Sequence, residues 1–175
     1  TSEDLMSTKA FCRNPPYRRF DGCWLLPIYR SLEEGGAFGN DHSEVVLLNK
    51  HGEFLDGPFA VPSSKGRVHG SIVSSCDGKN LLQFFRSRLA DRIYRSIGSL
   101  NGEDWSVPHA IDLPNNNSSI QALRLTSGRL LMVFNRFSIE NQLDEEWGNA
   151  NWPRTRWPLS LALSEDDGLT WPWIR

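Results

Sequence analysis

The stretch Cys76-Asp77-Gly78-Lys79-Asn80-Leu81-Leu82-Gln83-Phe84-Phe85-Arg86 decides the fold, because its pattern occurs three times in this chain of 175 residues. In each copy a turn glycine precedes a mostly apolar run, and an arginine lies eight positions after the glycine. The three pairs are Gly22 and Arg30, Gly78 and Arg86, and Gly128 and Arg136. Asp-Gly or Ser-Gly supplies the positive φ angle of a tight hairpin turn. Each copy therefore predicts a β-hairpin.

A second series of turn glycines, Gly52, Gly102 and Gly168, alternates with the first. Two hairpin turns per repeat imply four strands, and repeats of roughly 50 to 65 residues with four short strands are typical of propeller blades. The sequence therefore predicts an all-β protein, a partial β-propeller of three four-stranded antiparallel blades. We expect residues 1–175 to form one such unit, with blades at residues 10–62, 66–112 and 117–175.

The composition, 39% hydrophobic and 23% charged with a net charge of -2, is that of a folded globular protein. No apolar run approaches the roughly 20 residues of a membrane helix, and the arginines are scattered, so we expect neither a membrane span nor a nucleic-acid partner. Cys12, Cys23 and Cys76 match no disulfide or zinc spacing, and we interpret them as buried thiols. The sequence indicates no metal or cofactor and assigns no cellular compartment.

One turn carries a complete motif. The stretch Ser164-Glu165-Asp166-Asp167-Gly168-Leu169-Thr170-Trp171 fits the pattern Ser-x-Asp-x-Gly-x-Thr-Trp at every fixed position. On these residues the chain resembles the Asp-box (BNR) repeat proteins typified by sialidases, or neuraminidases. We interpret the motif residues as structural, because an Asp carboxylate can accept backbone N–H bonds of its own turn while the Trp packs between blades. These residues are Ser164, Asp166, Gly168, Thr170 and Trp171.

The resemblance extends to two arginines. The strand ending in Arg86 and the segment from Arg156 to Ser164 are similar to sialidase segments in adjacent blades. In that family three arginines from different blades converge on the carboxylate of the substrate, and Arg86 and Arg156 match two of them. A planar guanidinium binds a carboxylate through two hydrogen bonds and keeps its charge, so the resemblance implies a ligand of the sialic acid type. The further candidates for this substrate-binding pocket are Arg88, Tyr94 and Asn135.

The catalytic groups of the family are not evident in this chain. The resemblance implies a retaining glycosidase with a Tyr nucleophile, a Glu that activates it and an Asp acid/base, and it places the Tyr beyond Arg175 and the Asp ahead of the matched region. The Glu should precede the strand that ends in Arg86, yet residues 61–76 contain no acidic residue. His69 is the nearest candidate for a general base, and the alternative is an ordinary polar residue.

Two functions are consistent with these patterns. The leading hypothesis is a sialidase-like glycoside hydrolase module of the exo-α-sialidase type, which hydrolyses terminal sialic acid with a catalytic Tyr and Asp that are not in this chain. The alternative is a non-catalytic propeller scaffold that binds glycans or proteins. Three blades do not close a ring, so we expect the remaining blades of a longer chain with about six blades, or a second copy, as a partner.

Overall fold

The computed structural model describes residues 9–31, 40–139 and 150–175. In these ranges the regular secondary structure consists of β-strands, which form three antiparallel sheets in succession along the chain. This confirms the predicted all-β class and the partial propeller of three sheets. The strands of the first sheet are β1 (Ala10–Phe11), β2 (Tyr17–Arg18), β3 (Trp24–Ser31), β4 (Asp41–Leu48) and β5 (Phe54–Ala60). Those of the second are β6 (Arg67–Ser74), β7 (Leu81–Ser87), β8 (Arg92–Gly98) and β9 (His109–Pro114). Those of the third are β10 (Gln121–Arg124), β11 (Leu130–Asn135), β12 (Leu159–Ser164) and β13 (Trp173–Ile174).

The first sheet contains five strands in four positions. The short strands β1 and β2 both pair with β3, and β4 pairs with β3 on the other side. Thus β1 and β2 occupy one strand position between them. Every sheet is therefore a four-position meander in which neighbours in space are neighbours in sequence.

The sheets stack face to face, and β7 shows why. Its side chains alternate between the two faces, as they must in a pleated strand. Phe84 packs in the cluster shared with the third sheet, which includes Met132 and Phe134, while Phe85 packs in the cluster shared with the first sheet, which includes Leu25. Because both faces of this strand are buried, its sequence is mostly apolar, and this is the pattern that the sequence repeats.

The first strands of the sheets are joined by polar contacts. Ala122 N in β10 donates a hydrogen bond to Ser71 Oγ in β6 (3.0 Å). The side chain of Asn14, between β1 and β2, donates to the carbonyl oxygens of His69 (2.7 Å) and Gly70 (3.1 Å) in β6. These bonds hold the corresponding ends of the three sheets together, and the candidate site lies at that end.

The prediction of buried thiols was wrong. Cys12 and Cys76 are exposed and Cys23 is half-buried, and all three are free. Cys12 lies in the connection between β1 and β2, and Cys76 lies in the β6–β7 turn. Both are surface connections, where a small apolar side chain is left in solvent. The described part of the chain has neither a helix that could cross a membrane nor a group of three His, Cys, Asp or Glu residues placed to bind a metal ion.

Candidate functional site

A cavity of about 380 Å³ opens where the three sheets meet. Each sheet region contributes one arginine to its lining. Arg13 comes from the β1–β2 connection, Arg86 from β7 and Arg156 from the segment before β12. The other lining residues are polar apart from one tryptophan: Asn117, Ser118, Ser119, Asn135 and Trp152.

Arg86 is the most buried of the three arginines. Its Nη1 donates a hydrogen bond to the carbonyl oxygen of Asn117 (3.0 Å), while its buried Nε has no partner among the described residues. Burial lowers the pKa of Arg86 to about 10, and the positive charges of Arg88 and Arg13 contribute to the lowering. The guanidinium is therefore still charged at neutral pH, in surroundings that are already electropositive.

Arg156 and Arg13 are exposed at the rim of the cavity. Arg156 Nη1 donates to the carbonyl oxygens of Pro153 and Thr155, and Arg156 O accepts a hydrogen bond from Asn135 Nδ2 (2.7 Å). Within the described ranges, no carboxylate forms an ion pair with any of the three arginines. Arg156 and Arg86 thus share one cavity, and Arg13, which the sequence reasoning missed, adds a third cation from the first sheet.

A run of three buried asparagines organises the cavity, and sequence reasoning missed it as well. Asn115 Oδ1 accepts hydrogen bonds from Ser87 N (3.0 Å), next to Arg86, and from Asn117 N (3.0 Å). Asn116 Nδ2 donates to Thr155 O (2.6 Å), and Asn117 Nδ2 donates to Asn151 O (2.7 Å). The β9–β10 connection therefore binds the end of β7 on one side and the segment carrying Arg156 on the other. The available signal was the polar stretch Asn115-Asn116-Asn117-Ser118-Ser119 between two strands.

Two predicted pocket residues lie outside the cavity lining. Arg88 is buried and forms an ion pair with Asp41 (2.8 Å), with its guanidinium 5.7 Å from the ring centre of Tyr29. The Tyr94 hydroxyl donates to Asp91 Oδ2 (2.8 Å), and the Arg67 guanidinium stacks 3.7 Å from the centre of the Tyr94 ring. Arg88 therefore links the β7–β8 connection to β4, and Tyr94 in β8 contacts both that connection and β6. Among the additional candidates, Asn135 does line the cavity.

His69 lies beneath the site in a β-bulge of β6. It is buried, and its φ of 56° is unusual for a residue other than glycine. Its Nδ1 lies 3.4 Å from Ser119 Oγ, and its ring centre lies 5.0 Å from that of Tyr29. Burial, together with the charges of Arg86, Arg88 and Arg13, lowers the pKa of His69 to about 3. The imidazole is therefore neutral at pH 7 and a much weaker base than a general base requires, which favours the structural alternative.

The Ser164–Trp171 turn lies away from the cavity and is held by its own side chains. Asp166 Oδ1 accepts hydrogen bonds from Thr170 N (2.9 Å) and Ser164 Oγ (2.7 Å), while Asp166 Oδ2 accepts one from Thr170 Oγ1 (2.6 Å). Ser164 Oγ in turn accepts from Gly168 N (2.8 Å), and Gly168 has a φ of 81°. Trp171 is buried and packs edge-to-face against Phe84 of the second sheet, with ring centres 6.3 Å apart. The turn therefore joins two sheets and contributes no group to the site.

Three stacked antiparallel meanders define a partial β-propeller. The chain belongs to the family described as BNR repeat-like domain, whose model matches residues 1–175. This confirms the resemblance to sialidase-like BNR proteins. No curated protein sequence matches the chain.

Solved structures that share the fold include a protein of unknown function and a sialidase. A protein of unknown function from Dyadobacter fermentans DSM 18053 is 14% identical with a TM-score of 0.65, over 93% of this chain and 41% of that one. The Hadza microbial sialidase Hz136 is 14% identical with a TM-score of 0.57, over 91% of this chain and 29% of that one. The chain thus spans less than half the length of either protein.

Proposed function

We propose that this chain is the carboxylate-binding part of a sialidase-like glycoside hydrolase that acts on terminal sialic acid. In this proposal Arg13, Arg86 and Arg156 bind the carboxylate of the sugar, and the catalytic groups come from outside the chain. The observation that carries it is the convergence of three arginines, without a carboxylate partner in the described residues, on one cavity of about 380 Å³.

Electrostatics supports an anionic ligand. Like charges repel, and the repulsion grows as the groups leave water, so a half-buried guanidinium close to other cations is unfavourable without an anion. The pKa of Arg86 is lowered first by burial and then by the positive charges of Arg88 and Arg13, which agrees with this cost. A carboxylate offsets the repulsion and can accept two parallel hydrogen bonds from one guanidinium. A volume of this size also suits a ligand no larger than a monosaccharide or two.

A non-catalytic glycan-binding propeller is the second candidate, and the cavity lining favours it on one point. Hydrolysis with retention needs an acid/base and a nucleophile at the sugar. The described residues that line the cavity include no Asp, Glu or Tyr, and His69 is neutral beneath it. The hydrolase proposal therefore requires catalytic groups in addition to those described.

Titration of N-acetylneuraminic acid and of its methyl ester by calorimetry tests the binding. The acid should bind and the uncharged ester should bind much more weakly. Arg86→Lys and Arg156→Lys should each weaken binding of the acid by roughly tenfold, because lysine cannot form the bidentate contact of a guanidinium with a carboxylate. Arg129→Lys is the control, since Arg129 pairs with Glu165 on the surface away from the cavity. Equal binding of acid and ester would overturn the proposal.

A fluorogenic sialoside separates the two candidates. Release of the fluorophore by the protein that carries the whole propeller, abolished by Arg86→Lys together with Arg156→Lys, supports the hydrolase. Binding of the acid without release by that protein supports the scaffold.

A further inference from the structure

The floor of the cavity carries neutral polar groups next to Arg86. Asn117 is 1% exposed, and its Oδ1 is buried without a hydrogen-bond partner in the described part of the chain. Ser118 Oγ, in the same lining, is also buried and without a partner there. A buried polar atom without a partner is unfavourable, so two of them on consecutive lining residues require a physical explanation.

The orientation of the Asn117 amide is determined by its neighbours. Its Nδ2 donates to Asn151 O, and since a carbonyl oxygen can only accept, the amide nitrogen must face that carbonyl and Oδ1 must face the other way. The backbone is fixed too, because Asn117 N donates to Asn115 Oδ1 and Asn117 has a φ of 56°, a conformation that asparagine tolerates well. Asn117 Oδ1 is therefore a preorganised acceptor.

Three residues that line this cavity each carry one buried, partnerless atom, and the three atoms differ in chemistry. Arg86 Nε is a charged donor, Asn117 Oδ1 is an acceptor only, and Ser118 Oγ can do both. A plain carboxylate satisfies the arginine but offers no hydrogen to Asn117. A ligand that carries a hydroxyl or an amide N–H beside its carboxylate offers a suitable group for each of the three kinds of atom.

We propose that Asn117 and Ser118 determine specificity by binding a hydroxyl or N–H group of the ligand, so that the cavity selects a hydroxylated sugar acid over a plain carboxylate. This inference rests on the proposed function, because the arginines supply the carboxylate contact. The contact with Asn117 and Ser118 is separate from the arginine contact, so losing it should leave carboxylate binding in place.

The experiment uses the full chain, two probes and the variant Ser118→Ala. The probes are N-acetylneuraminic acid and tetrahydropyran-2-carboxylate, a ring acid without hydroxyl groups. Wild type should bind the sugar acid more tightly. Ser118→Ala should weaken binding of the sugar acid by roughly three- to tenfold, which corresponds to the loss of one hydrogen bond. Binding of the plain acid should not change. Ser127→Ala, in the exposed β10–β11 turn, is the matched control.

The thermal unfolding midpoint shows whether Ser118→Ala still folds as wild type does. Because Ser118 Oγ bonds to no described protein group, Ser118→Ala should leave the unfolding midpoint unchanged or raise it. Equal weakening of both probes, or no weakening of the sugar acid, would overturn the inference. If both acids bind with dependence on Arg86 but Ser118→Ala affects neither, the inference fails and the proposed function stands. If neither acid binds wild type, both fail.

Discussion

The pKa values of Arg86 and His69 are both lowered by burial and by neighbouring positive charges, and this predicts how ligand binding depends on pH. The pKa of Arg86 is lowered to about 10 and that of His69 to about 3, in both cases first by burial and then by neighbouring positive charges. Between about pH 5 and about pH 8, neither group changes its charge. We therefore expect the affinity for N-acetylneuraminic acid, measured by calorimetry at constant ionic strength, to be flat over this range. A loss of affinity centred near the ordinary histidine pKa of 6.5 would show that His69 titrates at the site and would contradict this prediction.

Asp166 shows how one side chain can stabilise a turn. Burial by itself raises the pKa of Asp166, but hydrogen bonds from the Thr170 side chain, the Thr170 backbone and Ser164 outweigh it and lower the pKa to about 2. Since the folded pKa is below the ordinary 3.8, this stabilisation is complete above that value and is lost as the pH falls toward 2. Asp166→Ala should lower the free energy of unfolding by about 1–3 kcal/mol at neutral pH.

Urea unfolding at a series of pH values checks the Asp166 prediction. The difference between wild type and Asp166→Ala should shrink as the pH falls toward the lowered pKa. Glu165→Ala is the neighbouring control, because the Glu165–Arg129 pair is exposed and should contribute about 0–1 kcal/mol. A difference that stays constant down to acid pH would mean that the ionised carboxylate is not what stabilises the turn.

At the scale of the strands, the β8–β9 hairpin requires a glycine at the end of β8, where the turn begins. A Cβ at Gly98 would lie 2.5 Å from Trp105 Cε3, and Trp105 is buried with its Nε1 donating to Gly102 O (2.9 Å). Because the ring is buried and its Nε1 is hydrogen-bonded, Gly98→Ala should lower the free energy of unfolding by about 1–3 kcal/mol through overpacking. Unfolding in urea measures this loss. In a Trp105→Leu background, the same Gly98 substitution should cost less, and an equal cost in both backgrounds would refute the steric explanation.

The hairpins could be predicted from sequence because their signals are local. A turn glycine at residue 78 and the apolar run after it specify β6–β7 without knowledge of the rest of the chain. The arrangement of the site could not be predicted in the same way. Asn116 and Asn117 bind Thr155 and Asn151, more than 30 residues away, and Arg13 reaches the cavity from another sheet. Arg86 and Arg156 could be predicted as candidates from the sequence only because they lie in segments with a family pattern.

At the scale of the whole molecule, the third sheet leaves one face uncovered by the described residues. The strand β12 alternates exposed and buried residues, with Leu159 71% exposed and Leu161 39% exposed on the outer face. The register places an apolar row across all four strands of the same face: Leu123, Leu131, Leu163 and Trp173. In a stacked propeller this is the face on which a further sheet would pack, as β7 does on both of its faces.

We expect the 175-residue chain to associate through this apolar face of the third sheet. A contiguous exposed apolar surface is stabilised by burial against another surface. The edge strand β13, with only two residues, covers little of the adjacent strand. Sedimentation velocity over a range of concentrations should show association that increases with concentration. Leu161→Lys should reduce it, because a charge in the centre of the buried face must be desolvated, whereas Leu169→Lys, on the Ser164–Trp171 turn, should not. A chain that stays monomeric throughout, or that loses association equally with both substitutions, would show that this face needs no partner sheet.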